Sequence, residues 1–152
     1  MIQRMQSLYL GAVCITMAAF LKASIWVKID VGHVYTIKPY ALIAATGQSI
    51  TFPYSISALL ASCLVLTAAY AIMRHDNRRL QLRLIARMNL IFVILMALIL
   101  VLIKKVHATY LLSGHSSYQI GAILPFIALV ASLLARHHIK KDEKLVNEDR
   151  LR

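Results

Sequence analysis

Four long apolar runs constrain this chain more than any other feature of its sequence. They cover residues 8–27, 55–73, 85–103 and 119–135, and each reaches or approaches the roughly 20 residues needed to cross a hydrocarbon layer. Backbone amides find no water at that depth, so a crossing segment has to be helical or belong to a closed barrel. The runs are apolar all round and lack the period-two alternation of barrel strands, which leaves helices. Hydrophobic residues make up 60% of the 152, more than one soluble core of this size can hide. The expected fold is all-α, an integral membrane four-helix bundle forming a single domain over 1–152.

The first run also resembles a secretory signal, because Arg4 precedes a short apolar stretch. Lys22 interrupts the region where cleavage would fall, and apolar character resumes at Ile25, Trp26 and Val27. The segment is therefore expected to be retained as a span.

Charge orients the spans. The formal net charge is +11, which on a soluble protein would suggest nucleic acid. Here the positive residues fall in loops. Arg4, five arginines in "RHDNRRLQLRLIAR" (74–87), and Arg136, Lys140, Lys141, Lys144, Arg150 and Arg152 make twelve on one side. Lys22, Lys28, Lys38, Lys104 and Lys105 make five on the other. Excess Lys/Arg marks cytoplasmic loops, so both termini and the loop at 74–84 are expected inside. Arg79, Arg83 and Arg87 recur every four residues and form one stripe, suited to anionic lipid headgroups. Asp76 or Asn77 can cap the helix that carries them.

Aromatic rings at Trp26, Tyr54, Tyr110 and Tyr118 are expected at the outer interface, and Tyr9 and Tyr70 at the inner one. The outer loop 28–54 contains "HVYTI", "ALIAATG" and "SITF", broken by Pro39, Gly47 and Pro53. These β-favouring runs fit a short surface hairpin. The second outer loop, 104–118, reads as irregular. The tail 136–152 is expected to continue the last span as a cytoplasmic helix. Its mixed charge, with Lys144 and Glu148 spaced for an ion pair, argues against a nucleic-acid arm.

No motif identifies a reaction, and the chain reads as a non-enzyme. The histidines His33, His75, His107, His115, His137 and His138 all lie in loops or at span ends, where they cannot face one another across a haem. His137 and His138 are adjacent, so their side chains point apart on a helix and make a poor metal pair. Cys14 and Cys63 occupy different spans and form no redox pair. Neither a zinc-protease pattern, a phosphate-cradling loop nor a serine elbow occurs. No cofactor is expected.

Lys22 is the one charge clearly inside a predicted span, since Arg87 falls at the edge of another, and it is close enough to its outer end to snorkel. Asn89 is placed to hydrogen-bond across helices. Pro125 removes an amide and crowds the carbonyl of Gly121, so a kink is expected there. Gly11, Ala18, Ala61, Ser62, Ala68, Gly121 and Ala122 would let helices approach closely.

The opening "MIQRMQSLYL", the central "NRRLQLRLIARMNL" and the closing "YQIGAILPFIALVASLLARHHIKKDEKLVNEDRLR" together resemble the bacterial membrane family catalogued as domain of unknown function 4293. The likeness runs end to end, with "KKDEKLV…DRLR" its most specific part and the outer loop its least. It implies four spans in a bacterial inner membrane and carries no activity with it. The motifs draw attention to Gln3, Arg4, Asn77, Arg79, Gln81, Arg83, Asn89, Gly121, Pro125, Lys141, Asp142, Glu143, Asp149 and Arg150.

The functional expectation is an accessory or scaffold subunit. It would touch a protein partner, a second copy of itself or anionic lipid through Arg78, Arg79, Arg83, Arg87, Lys141, Asp142, Glu143 and Arg150. Asn89, Gly121 and Pro125 would serve packing. The alternative is a small transporter or lipid-handling protein using the Pro125 kink.

Overall fold

A computed structural model describes the backbone of residues 3–30, 33–44, 47–74, 78–110 and 115–150, with side chains over 7–29, 34–44, 47–74, 80–108 and 115–141. These residues form α1 (Gln3–Lys22), β1 (Trp26–Asp30), β2 (His33–Ile37), β3 (Leu42–Ala44), β4 (Ser49–Ile50), α2 (Ser55–Met73), α3 (Arg78–Tyr110), β5 (His115–Tyr118) and α4 (Ile120–Arg150). The helices pack as a closed ring of neighbours, α1 on α2, α2 on α3, α3 on α4 and α4 back on α1.

Buried positions on α3 run Gln81, Ile85, Met88, Phe92, Leu95, Ile99, Leu102 and Val106. The spacing alternates between four and three, a heptad seam that turns one face steadily toward its neighbours. On α2 the seam is Ser57, Ala61, Leu64, Ala68 and Ala71, and on α4 it is Gly121, Pro125, Ala128, Ser132, Ala135 and Ile139. Small residues thus predominate in the seams of α2 and α4, while their Leu59, Leu66, Ile123, Phe126, Ile127 and Leu133 face out. A water-soluble helix would be patterned the other way round. Small residues at helix contacts are what membrane packing favours. Among the described residues, three helices are long and apolar enough to cross a membrane: Ser55–Met73, Leu80–Ala108 and Ile120–Lys141.

The all-α expectation needs correction. Five strands form one antiparallel sheet in the order β4-β3-β2-β1-β5, capping the end of the helices opposite the finish of α2 and the start of α3. The expected hairpin in 28–54 is part of it. The stretch expected to be irregular supplies its fifth strand, Tyr118 pairing with Trp26 and His115 with Ile29. Gly47, at φ 77, allows the turn from β3 to β4, where its N–H donates to Ala44 O at 3.0 Å.

The first predicted span is corrected too. Its helix runs Gln3–Lys22 and stops short of Val27; its 20 residues rise about 30 Å, close to the thickness of a hydrocarbon layer. Ile25 lies in the link after the helix and Trp26 and Val27 enter the sheet, because hydropathy alone does not separate a helical apolar residue from one in a buried strand. Trp26 and Tyr54, expected at an interface, are instead buried in the core beside Ile37, Leu42, Leu102, Ile103 and Val106. Lys22 ends α1 and is exposed. The proposed cap at Asp76 or Asn77 lies outside the described residues.

Backbone contacts bind the sheet to the helix ends. The Pro39 carbonyl accepts from Ala58 N at 3.1 Å and from the Ser57 hydroxyl, satisfying the first turn of α2. Ser24 O accepts from Gly121 N at 3.0 Å, and Ile25 O from Gln119 N at 3.1 Å. A Cβ on Gly121 would stand 2.5 Å from Ser24 O, so glycine is required for that approach. Gly11 has open space where its Cβ would lie, and Ala18 and Ser62 face outward. These three are not contact residues, unlike Ala61, Ala68 and Gly121.

Gly121→Ala should therefore destabilise the fold by about 1–3 kcal/mol, the usual cost of forcing an atom into a closed contact. Gly11→Ala should be neutral or slightly stabilising, as alanine favours helix over glycine by about 1 kcal/mol. Unfolding of both variants in detergent, followed by circular dichroism, checks the contrast.

Candidate functional site

The antiparallel register of α3 and α4 brings several of the singled-out residues to one end. The Ser132 hydroxyl of α4 donates to Asn89 Oδ1 of α3 at 2.6 Å, so the expected interhelical bond of Asn89 exists. One turn further along both helices lie Ile85 and Arg136, then Gln81 and Lys140. Arg83, Arg87, Lys140 and Lys141 are exposed at this arginine end. Arg78 and Arg79 lie in the first turn of α3, and Asp142, Glu143 and Arg150 in the last turns of α4. Their side chains fall outside those described.

Beneath the exposed charge is a buried polar seam. Gln81 is 2% exposed, and its Nε2 donates to Ala71 O at 2.9 Å. It thereby satisfies one of the last carbonyls of α2, which have no partner within their own helix. Gln81 Oε1, Asn89 Nδ2 and Arg136 Nε are buried without a hydrogen-bond partner among the described residues. On the neighbouring face Tyr9 of α1 stacks on His138 of α4, with centroids 5.4 Å apart and planes 17° from parallel. His137 meets His138 edge-on at 6.0 Å. Pro125 lies buried within α4, which continues on both sides of it from Ile120 to Arg150.

The sheet end holds a feature that sequence reasoning missed. Lys28 on β1 is 2% exposed, and its Nζ lies 3.3 Å from His107 Nε2 on α3. An ammonium can only donate, so the pair is bonded when the imidazole nitrogen accepts. Tyr35 and Ser116 stand opposite Lys28 on the flanking strands. The available signal was alternation. Once Trp26 points inward in a strand, Lys28 two residues on must do so as well.

The cysteines remain unpaired with each other. Cys14 Sγ lies 3.9 Å from Val65 O, and Cys63 is exposed on the outer face of α2. Among the described residues no group of three or more His, Cys, Asp or Glu is placed to hold a metal.

A family model described as "Domain of unknown function (DUF4293)" matches residues 2–151. The chain belongs to that family. The resemblance read from its terminal and central motifs is borne out, and the DUF4293 match also spans the sheet, where those motifs carried little. A comparison with curated proteins found no match.

If the seam holds α3 against α4, Ser132→Ala should cost about 1 kcal/mol by leaving the Asn89 amide short of a partner. Adding Asn89→Leu should recover part of that loss, because removing both polar groups costs less than orphaning one. A double-mutant cycle by denaturant titration in detergent measures the coupling.

Proposed function

We propose that this DUF4293 protein is a four-span helical bundle of a bacterial inner membrane, with both ends and the 74–77 connection in the cytoplasm. It acts there as a non-enzymatic accessory or scaffold subunit that docks a protein partner. The observation that carries the reading is the division of the surface. Large apolar side chains cover the outside of the helices, and exposed arginine and lysine gather at one end of α3 and α4. Anionic headgroups would meet the stems and heads of Arg83 and Arg87 at that level.

The last part of α4 supports docking over simple anchoring. From Arg136 to Arg150 it stays helical, a reach of about 20 Å at 1.5 Å per residue. Lysines and acids of both signs occupy it, which suits a charged protein surface better than a uniformly anionic bilayer.

Two measurements test the two halves of the proposal. A fluorescent reporter that matures only in the cytoplasm should be bright when fused after Arg152, and an externally active phosphatase fused there should be silent; the reverse would overturn the topology. Photo-crosslinkers at Arg83 and Glu143, activated in native membranes, should give a discrete protein adduct. Lipid adducts alone would overturn the docking role while leaving the topology standing.

A further inference from the structure

Resting on the membrane reading above, we propose that the sheet end carries a seat for one anionic phospholipid of the outer leaflet. Its acyl chain would lie between α3 and the start of α4, and its phosphate would meet Lys104 and His107.

A cavity of 190 Å³, open on one side, is lined by Met96, Ile99, Leu100, Ile103, Tyr118 and Ala122. Apart from the Tyr118 hydroxyl its side chains offer nothing to a polar ligand, and the Met96 thioether adapts to an irregular chain. Its position accounts for its existence. The edge strand β5 ends at Tyr118, and Gly121 draws α4 tightly onto Ser24. Tyr118 and Ala122, which flank that contact, form one wall of the slot and α3 the other.

What fills the slot is indicated by the charge at its mouth. Lys104 follows Leu100 by four residues and His107 follows Ile103 by four, so each continues a lining row of α3 toward the sheet. Both are exposed. His107 in turn contacts the buried Lys28 at 3.3 Å. With Nε2 accepting from Lys28, the Nδ1–H of His107 can donate to an anion that the Lys104 ammonium also attracts. Five lysines belong to this half of the chain's connections, whereas of six acidic residues only Asp30 does. The other five fall at 76 and 142–149. An apolar slot with a cationic, tyrosine-edged mouth matches an acyl chain carrying a phosphate. A neutral zwitterionic lipid would bring its own cation to the lysines.

The single tryptophan provides the readout. Trp26 is the strand partner of Tyr118, so a quencher in the slot lies beside it. The full chain would be reconstituted in phosphatidylcholine vesicles containing a low fraction of chain-brominated phosphatidylglycerol or, separately, of chain-brominated phosphatidylcholine. Brominated phosphatidylglycerol should quench Trp26 at least threefold more per mole, and Lys104→Gln with His107→Gln should abolish that preference. Ala122→Phe, which fills the slot, should reduce quenching by both lipids. Equal quenching by the two lipids in the native chain would overturn the proposal, with no need for a variant to fold. Stronger quenching by brominated stearate than by brominated phosphatidylglycerol would overturn it in favour of a fatty acid. Failure of the chain to enter vesicles at all would instead strike the membrane reading.

Discussion

The carbonyl of Ser24 sits where four elements meet, and the remaining architecture depends on how it is held. Helix α1 has just ended, β1 is about to begin, β5 arrives from the far side and α4 starts. Gly121 gives its N–H to that oxygen at 3.0 Å. The bond satisfies an orphan donor of α4 and a carbonyl in the short link between α1 and β1, both of which would otherwise be costly. Because the chain turns at Ser24, Trp26 and Lys28 point beneath the sheet rather than along a helix. A side chain at position 121 would push these elements apart.

From that junction the packing follows an inverted economy of size. Alanine, serine and glycine occupy the seams of α2 and α4, and leucine, isoleucine and phenylalanine are turned outward. Close helix approach then rests on dispersion contacts and a few interhelical hydrogen bonds. Such bonds among the described residues include Ser132 to Asn89 between α4 and α3 and Gln81 to Ala71 between α3 and α2. Both lie toward the arginine end. The sheet end is held differently, through the aromatic and aliphatic cluster around Trp26, Tyr54 and Leu102.

How far the sequence could be read follows from what each element owes to its own residues. The helix over 55–73 was legible to the residue, since nothing but an apolar run of that length between Pro53 and a basic segment was needed. The interhelical role of Asn89 was legible because an amide in an apolar run has few other uses. The strand β5 was not, because "HSSY" has little β preference of its own. It is a strand because β1 offers an unpaired edge, and that is a fact about distant residues. Trp26 and Tyr54 misled for a related reason. Aromatic rings suit an interface and a core equally well, and only the sheet above them decides between the two.

The order in which the chain emerges from the ribosome gives the β1–β5 pairing a temporal meaning. β1 is complete once Asp30 has been made, yet its second edge waits until His115 to Tyr118 follow. The principal neighbour of α1, helix α4, comes later still. Closing so long a loop is entropically slow compared with local pairing. The ring of helices therefore shuts from its last member back to its first, and a nascent chain stopped after α3 would carry an unfinished sheet and an α1 lacking its main support.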